Sequence, residues 1–159
     1  MRLVKNCAAI LIALSTVTIA YARHLKTRDE IPYKQVSITQ MTAENPVSWK
    51  LINTHTSVTG FIIDWRYPND FDGDTHVVVC DSPKFKATGD TSLPDVKHCI
   101  IAEMTPYLRC DRVAPSGKPV TFYGQAHYDG EHHWWELHPL EKNSASECRL
   151  VEDGHSEAR

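Results

Sequence analysis

No apolar stretch in this chain reaches the length that a membrane-spanning helix ordinarily has. The longest run, Cys7 to Ala20, has about 14 residues where a spanning helix needs about 20. Basic residues are also in short supply: 17 Lys and Arg stand against 20 Asp and Glu, a net charge of −3. No cluster of Lys and Arg interleaved with aromatics is present, and this disfavours generic nucleic-acid binding, which draws its affinity from neutralised phosphates. The G-x-S-x-G, P-loop and dinucleotide-binding fingerprints are missing, so nothing points to the chemistries they serve. No C-x-x-C spacing argues for a zinc site.

What is present begins with a leader. Arg2 and Lys5 precede the apolar run, and Ala20-Tyr21-Ala22 places small residues where a signal peptidase reads them. Residues 1–22 therefore read as a cleaved export signal, with a membrane anchor as the alternative. Cleavage after Ala22 leaves 159 − 22 = 137 residues and 17 − 2 = 15 basic against 20 acidic groups, a charge of −5. The expected location is exported, periplasmic or extracellular, with no membrane span after cleavage. Cys80, Cys99, Cys110 and Cys148 remain, and an even number of cysteines in an exported chain favours disulfides. Three pairings are open. Cys80 with Cys99 is preferred because each lies in an apolar, strand-like run and the runs are sequence neighbours; Cys110 with Cys148 then ties the tail to the body. With all four paired, no thiol is left as a nucleophile.

Residues 23–55 read as a polar amino-terminal arm, a leader or loosely docked segment, with Trp49 and Leu51 approaching an open end of the core. Five strands follow within 56–140: Thr56 to Trp65, with Gly60 marking a bend or bulge; His76 to Cys80; Cys99 to Met104; Pro119 to Tyr128; and His132 to Leu140. Tyr107 to Arg112 reads as a helical turn between strands three and four. Asp129-Gly130 joins the last two strands as a hairpin. The expected fold is all-β, a small five-stranded OB-like Greek-key barrel, ahead of a β-sandwich of about seven strands. Residues 141–159 form a polar tail, poorly ordered unless Cys148 pins it.

Val58-Thr59-Gly60, Asp72-Gly73-Asp74-Thr75-His76, Ala102-Glu103, Gly124, His132 or His133, and Glu136-Leu137-His138-Pro139 together resemble the pattern of a family of uncharacterised bacterial exported OB-like proteins. The likeness spans about residues 56 to 140. Pro106 departs from it, standing one residue later than the pattern wants. The resemblance implies fold and export, and no activity.

On the last strand successive side chains point to opposite faces, so Trp135 and Leu137 share the core side while Trp134, Glu136 and His138 share the other with His132. His76, Glu103, Glu136 and His138 sit near strand ends and are the candidates for catalysis, either holding a divalent metal or pairing a carboxylate with an imidazole. The alternative is a polar network that fixes the barrel's register, the commoner use of such groups. Asp72, Asp74, His132 and Trp134 are candidates for ligand binding in a groove between the Asp-Gly-Asp loop and the hairpin, Trp134 serving as a stacking platform. His127 and Asp129 with His132 or His133 form a smaller candidate metal set at the hairpin tip. Asp72-Gly73-Asp74-Thr75 is similar to the D-G-D-T of staphylococcal-type nucleases, OB-folds that hold calcium with carboxylates. The R-L-x-G-I-D-x-P-E stretch of those enzymes is missing after His76, and a turn accounts for the motif.

The expected function is a secreted or periplasmic binding module of unknown ligand, stapled by disulfides, with no cofactor assigned beyond a candidate divalent metal. Against it stand a metal-assisted hydrolase, phosphodiesterase or nuclease-like, using the His/Glu cluster, and a structural envelope protein without a ligand.

Overall fold

The computed structural model describes residues 32–66, 73–89 and 92–150. The expected leader, Asp72 and the chain from Val151 onward lie outside the described residues. Eight strands and one helix follow in order: β1 (Lys34–Val36), α1 (Ile38–Thr42), β2 (His55–Arg66), β3 (Thr75–Cys80), β4 (Cys99–Met104), β5 (Leu108–Cys110), β6 (Pro119–Asp129), β7 (Trp134–Asn143) and β8 (Cys148–Leu150).

Five of the strands close on themselves in the order β2-β3-β4-β7-β6 and back to β2. All pairings in the ring are antiparallel except β4 with β7, which is parallel. The result is a closed, mixed five-strand barrel. β2 makes closure possible by changing partners along its length: His55 to Phe61 pair with β6, and Phe61 to Arg66 pair with β3. Gly60 sits at the changeover, where a Cβ would lie 2.7 Å from Ile38 Cδ1, 2.7 Å from Val79 Cγ1 and 2.8 Å from the Cys80 carbonyl oxygen. Only a residue without a side chain fits there. The register shift comes slightly later, between Ile62 and Asp64.

Alternation along each strand divides the side chains into two clusters. Val58, Ile62, Trp65, Val77, Val79, Ile100, Ala102, Phe122, Trp135 and Leu137 fill the interior. Val78, Cys80, Cys99, Ile101 and Trp134 face outward, where Leu93 and Phe85 pack on them from the 81–98 connection. Trp134 and Trp135 thus lie on opposite faces, as alternation requires.

Residues ahead of the barrel are part of its core, contrary to the expectation of a loosely docked arm. β1 adds to β2 in parallel, from Lys34 opposite Thr56 to Val36 opposite Val58. Ser37 caps α1, its side chain accepting from the Gln40 N–H. Val36, Ile38 and Met41 are buried with the barrel interior, and Thr42 Oγ1 donates to the Lys97 carbonyl oxygen at 2.6 Å. The helix therefore packs at the barrel end that carries Cys80 and Cys99. Trp49 lies edge-on to Trp135, ring centroids 4.9 Å apart, with Leu51 and Ile52 beside it.

The helical turn expected over Tyr107 to Arg112 is replaced by β5, which pairs antiparallel with β8. Leu108 turns inward, and Cys110 stands opposite Cys148, to which it is disulfide-bonded. The tail is held at least to Leu150 by this ribbon. Cys80 and Cys99 face each other across β3 and β4 and form the second disulfide. Among the described residues no helix is long and apolar enough to cross a membrane.

Candidate functional site

The pairing of β3 with β4 puts His76 opposite Glu103, and β4 runs parallel to β7 with Ala102 opposite Leu137. The next residues along, Glu103 and His138, consequently meet. His76, Glu103, Glu136 and His138 are brought together on the outer face of the barrel, at the end away from the Cys80–Cys99 bridge. Glu103 stands in the middle: its Oε1 lies 3.3 Å from His76 Nε2, and its Oε2 lies 3.4 Å from His138 Nδ1. Glu136 Oε1 lies 3.2 Å from the same His138 nitrogen, while its Oε2 accepts from Trp134 Nε1 at 3.3 Å.

Asp74 precedes β3 by one residue and shares the side of His76, two positions on. It is a hydrogen-bond partner of Glu103. One ligand atom each from Asp74, Glu103 and His138 all lie within 4.8 Å of one another, and among the described residues no other set of three His, Cys, Asp or Glu comes as close.

Burial and charge act against each other here. Glu103 and Glu136 are 7 % and 3 % exposed. Burial pushes the Glu103 carboxyl up, but the hydrogen bonds with His76 and Asp74 and the charges of His138 and His76 outweigh it and hold it down to about 2. The hydrogen bond to Glu136 raises His138 to about 9 against the opposing effect of burial, with the charges of Glu103, Glu136 and Asp74 adding to it. Where Glu103 meets His138, a carboxylate therefore faces a protonated imidazole.

The other sequence candidates fall elsewhere. Trp134 is not an open stacking platform: it is 5 % exposed, and the His132 ring stacks on it at 4.5 Å with an interplanar angle of 8°. His132 is not on the last strand, which begins at Trp134. Instead of a two-residue turn at Asp129-Gly130, residues 130–133 connect the strands, because the Asp129 carboxylate captures the N–H groups of Glu131 and His132 at 2.8 and 3.0 Å. The turn carries His132 to the outer face, where its Nδ1 lies 2.5 Å from Asp129 Oδ2. That contact raises His132. Asp129 is pushed up by burial and, more strongly in sum, held down by its hydrogen bonds with His132 and Glu131. His133 is exposed at φ 60°. His127 lies on β6, its ring edge-on to His138 at 6.0 Å. Among the described residues, the hairpin-tip set of His127 and Asp129 with His132 or His133 is not one whose ligand atoms converge as those of Asp74, Glu103 and His138 do.

One contributor went unnoticed in the sequence, and another was given a different role. Arg66 stands opposite His76 on β2 and extends the row, its Nε 3.2 Å from Asp64 Oδ2 and its Nη2 2.8 Å from the Ser92 carbonyl oxygen. Trp134, taken for a platform, is the donor that orients Glu136. Counting residues across the β2–β3 pair would have found the first. Compared with known proteins, the chain matches no family model, no curated protein and no solved structure.

Proposed function

We propose that this chain is an exported OB-like binding module whose ligand seats on the outer face of β3, β4 and β7. The five barrel strands, renumbered one to five, run 1-2-3-5-4 and return to 1, with three and five parallel. That order supports the OB-like reading, and folds of this kind take oligonucleotides or oligosaccharides on the face of strands two and three and the loops beside them. Two disulfides support an oxidising compartment. The observation that carries the reading is the gathering of Asp74, His76, Glu103, Glu136 and His138 at one end of that face. Nothing in the interior packing calls for five ionisable groups there.

The test is a shift map of the isotope-labelled, oxidised protein with short single-stranded oligonucleotides and with neutral and acidic oligosaccharides. The acidic balance of the chain favours the sugars over generic nucleic acid. Binding should move the amides around Glu103, Glu136 and His138. Shifts confined to another face, or none with any probe, count against the reading.

A second reading, a metal-assisted hydrolase of the phosphodiesterase class, is favoured by one observation: Asp74 joins Glu103 and His138 within 4.8 Å. Turnover of an activated phosphodiester by the metal-loaded protein, lost in Glu103→Gln, is its test. If Glu136→Ala and His138→Ala lower stability and change nothing else, the cluster is architectural.

A further inference from the structure

We propose that Asp74, Glu103 and His138 hold a divalent transition-metal ion of the zinc–manganese class, with Glu136 as the positioning residue for the His138 ring. This rests on reading the cluster as a binding site and names what it holds.

The first argument is convergence. The three donors come from three separate segments, β4, β7 and the residue ahead of β3, yet one donor atom of each lies within 4.8 Å of the others. Two of the segments are barrel strands whose register is set by the core on their inner face, so the donors stand on a rigid frame. Asp74 and Glu103, 9 % and 7 % exposed, are two carboxyl groups placed side by side away from water. Such a pair is stabilised by a cation beside it, a place that the protonated His138 ring fills in the metal-free protein and a bound ion would take over.

The second argument is the surrounding shell. A metal-bound imidazole ordinarily gives its other nitrogen to a carboxylate, which fixes the ring. Glu136 is that carboxylate at His138 Nδ1, 3.2 Å away, with Trp134 Nε1 holding its second oxygen; Glu103 faces the same nitrogen at 3.4 Å, so Nε2 is the ring nitrogen assigned to the ion. On the far side His76 Nε2 lies 3.3 Å from Glu103 Oε1, leaving Oε2 turned towards His138. Glu103 and His138 thus each have a partner that orients them.

The third argument is donor chemistry. Two oxygens and one imidazole nitrogen suit zinc, manganese or ferrous iron better than calcium or magnesium, which prefer oxygen throughout. Three protein donors would leave further coordination positions for a ligand oxygen, and the His138 side chain, 36 % exposed, keeps the site in reach of solvent. The hairpin tip lacks these properties, since its Asp129 and His132 are committed to each other.

The experiment is calorimetric titration of the chelator-treated, oxidised protein with Zn²⁺, Mn²⁺ and Ca²⁺, with metal content measured after gel filtration. One Zn²⁺ or Mn²⁺ per chain is expected, with Ca²⁺ much weaker. Asp74→Asn and His138→Ala should each lower affinity by about a hundredfold or more, and Glu136→Gln by about ten- to a hundredfold with the stoichiometry kept. His98→Ala, paired with Asp81 at the other end of the face, should change nothing. Asp74 lies outside the strands, so Asp74→Asn decides the matter if a change at Glu103 prevents folding; circular dichroism melts check each variant. Absence of saturable binding overturns the proposal. So does binding that survives Asp74→Asn and His138→Ala but falls with Asp129→Asn. If no metal binds while sugar or oligonucleotide probes still shift this face, the metal site alone falls; if both fail, the binding reading falls with it.

Discussion

Glu136 and His138, two residues apart on β7, turn the same way and meet at 3.2 Å between Oε1 and Nδ1. Their contact lifts the imidazole to about 9, and its counterpart Glu103 sits at about 2. In the metal-free protein the two shifts act at opposite ends of the pH scale. Glu103, depressed from 4.5, stabilises the fold above its ordinary value and loses that effect as pH falls towards 2. His138, raised from 6.5, stabilises fully below 6.5 and loses that effect as pH rises through 9. Denaturant melts with chelator present should therefore show greatest stability from about pH 4.5 to 6.5. In Glu136→Gln the alkaline loss should begin at lower pH, and the His138 ring resonances should titrate lower. A flat profile from pH 6.5 to 9 would show that the pair is not formed.

Gly60→Ala places a methyl group against the Cys80 carbonyl oxygen at 2.8 Å and two core side chains at 2.7 Å. Backbone cannot yield as a flexible side chain does, so a loss of about 1 to 3 kcal/mol is expected. Equilibrium unfolding in urea measures it. A neutral outcome would mean that β2 can shift its changeover point.

Met41 is fully buried although it belongs to a five-residue helix ahead of the barrel. Met41→Ala should cost about 2 to 5 kcal/mol, as a large-to-small change in a core does. An effect under about half a kcal/mol, the level of a surface change, would place the helix outside the cooperative unit.

The Cys110–Cys148 bridge closes a separation of 38 residues. Replacing both cysteines with serine should cost about 3 to 4 kcal/mol in the chain-entropy model. Hydrogen exchange should show β5 and β8 losing protection while β3, β4 and β7 keep theirs. Loss of protection throughout would make the ribbon essential to the barrel.

The barrel strands were legible because each buries alternate residues: Cys99 to Met104 came out with its own limits, and the others within three residues. Pairing Cys80 with Cys99 followed from two adjacent apolar runs. α1 escaped because five residues give no period, although Ser37 ahead of Ile38 and Met41 was a usable signal. β5 escaped because its partner β8 lies some forty positions later, and local composition around Tyr107 carries no trace of a pairing so distant. His76, Glu103, Glu136 and His138 could be gathered because all lie in strands with a fixed phase. His132 could not, since the capture of two amides by the Asp129 side chain decides the length of the turn.

The seat of Val36, Ile38 and Met41 inside the barrel also sets a boundary for processing. A peptidase trimming the amino terminus must stop before Tyr33, whose hydroxyl is bonded to Glu141 on β7. A cut a few residues further would pull a stopper from the protein's interior, so any trimming at this end would meet a hard limit in the packing itself.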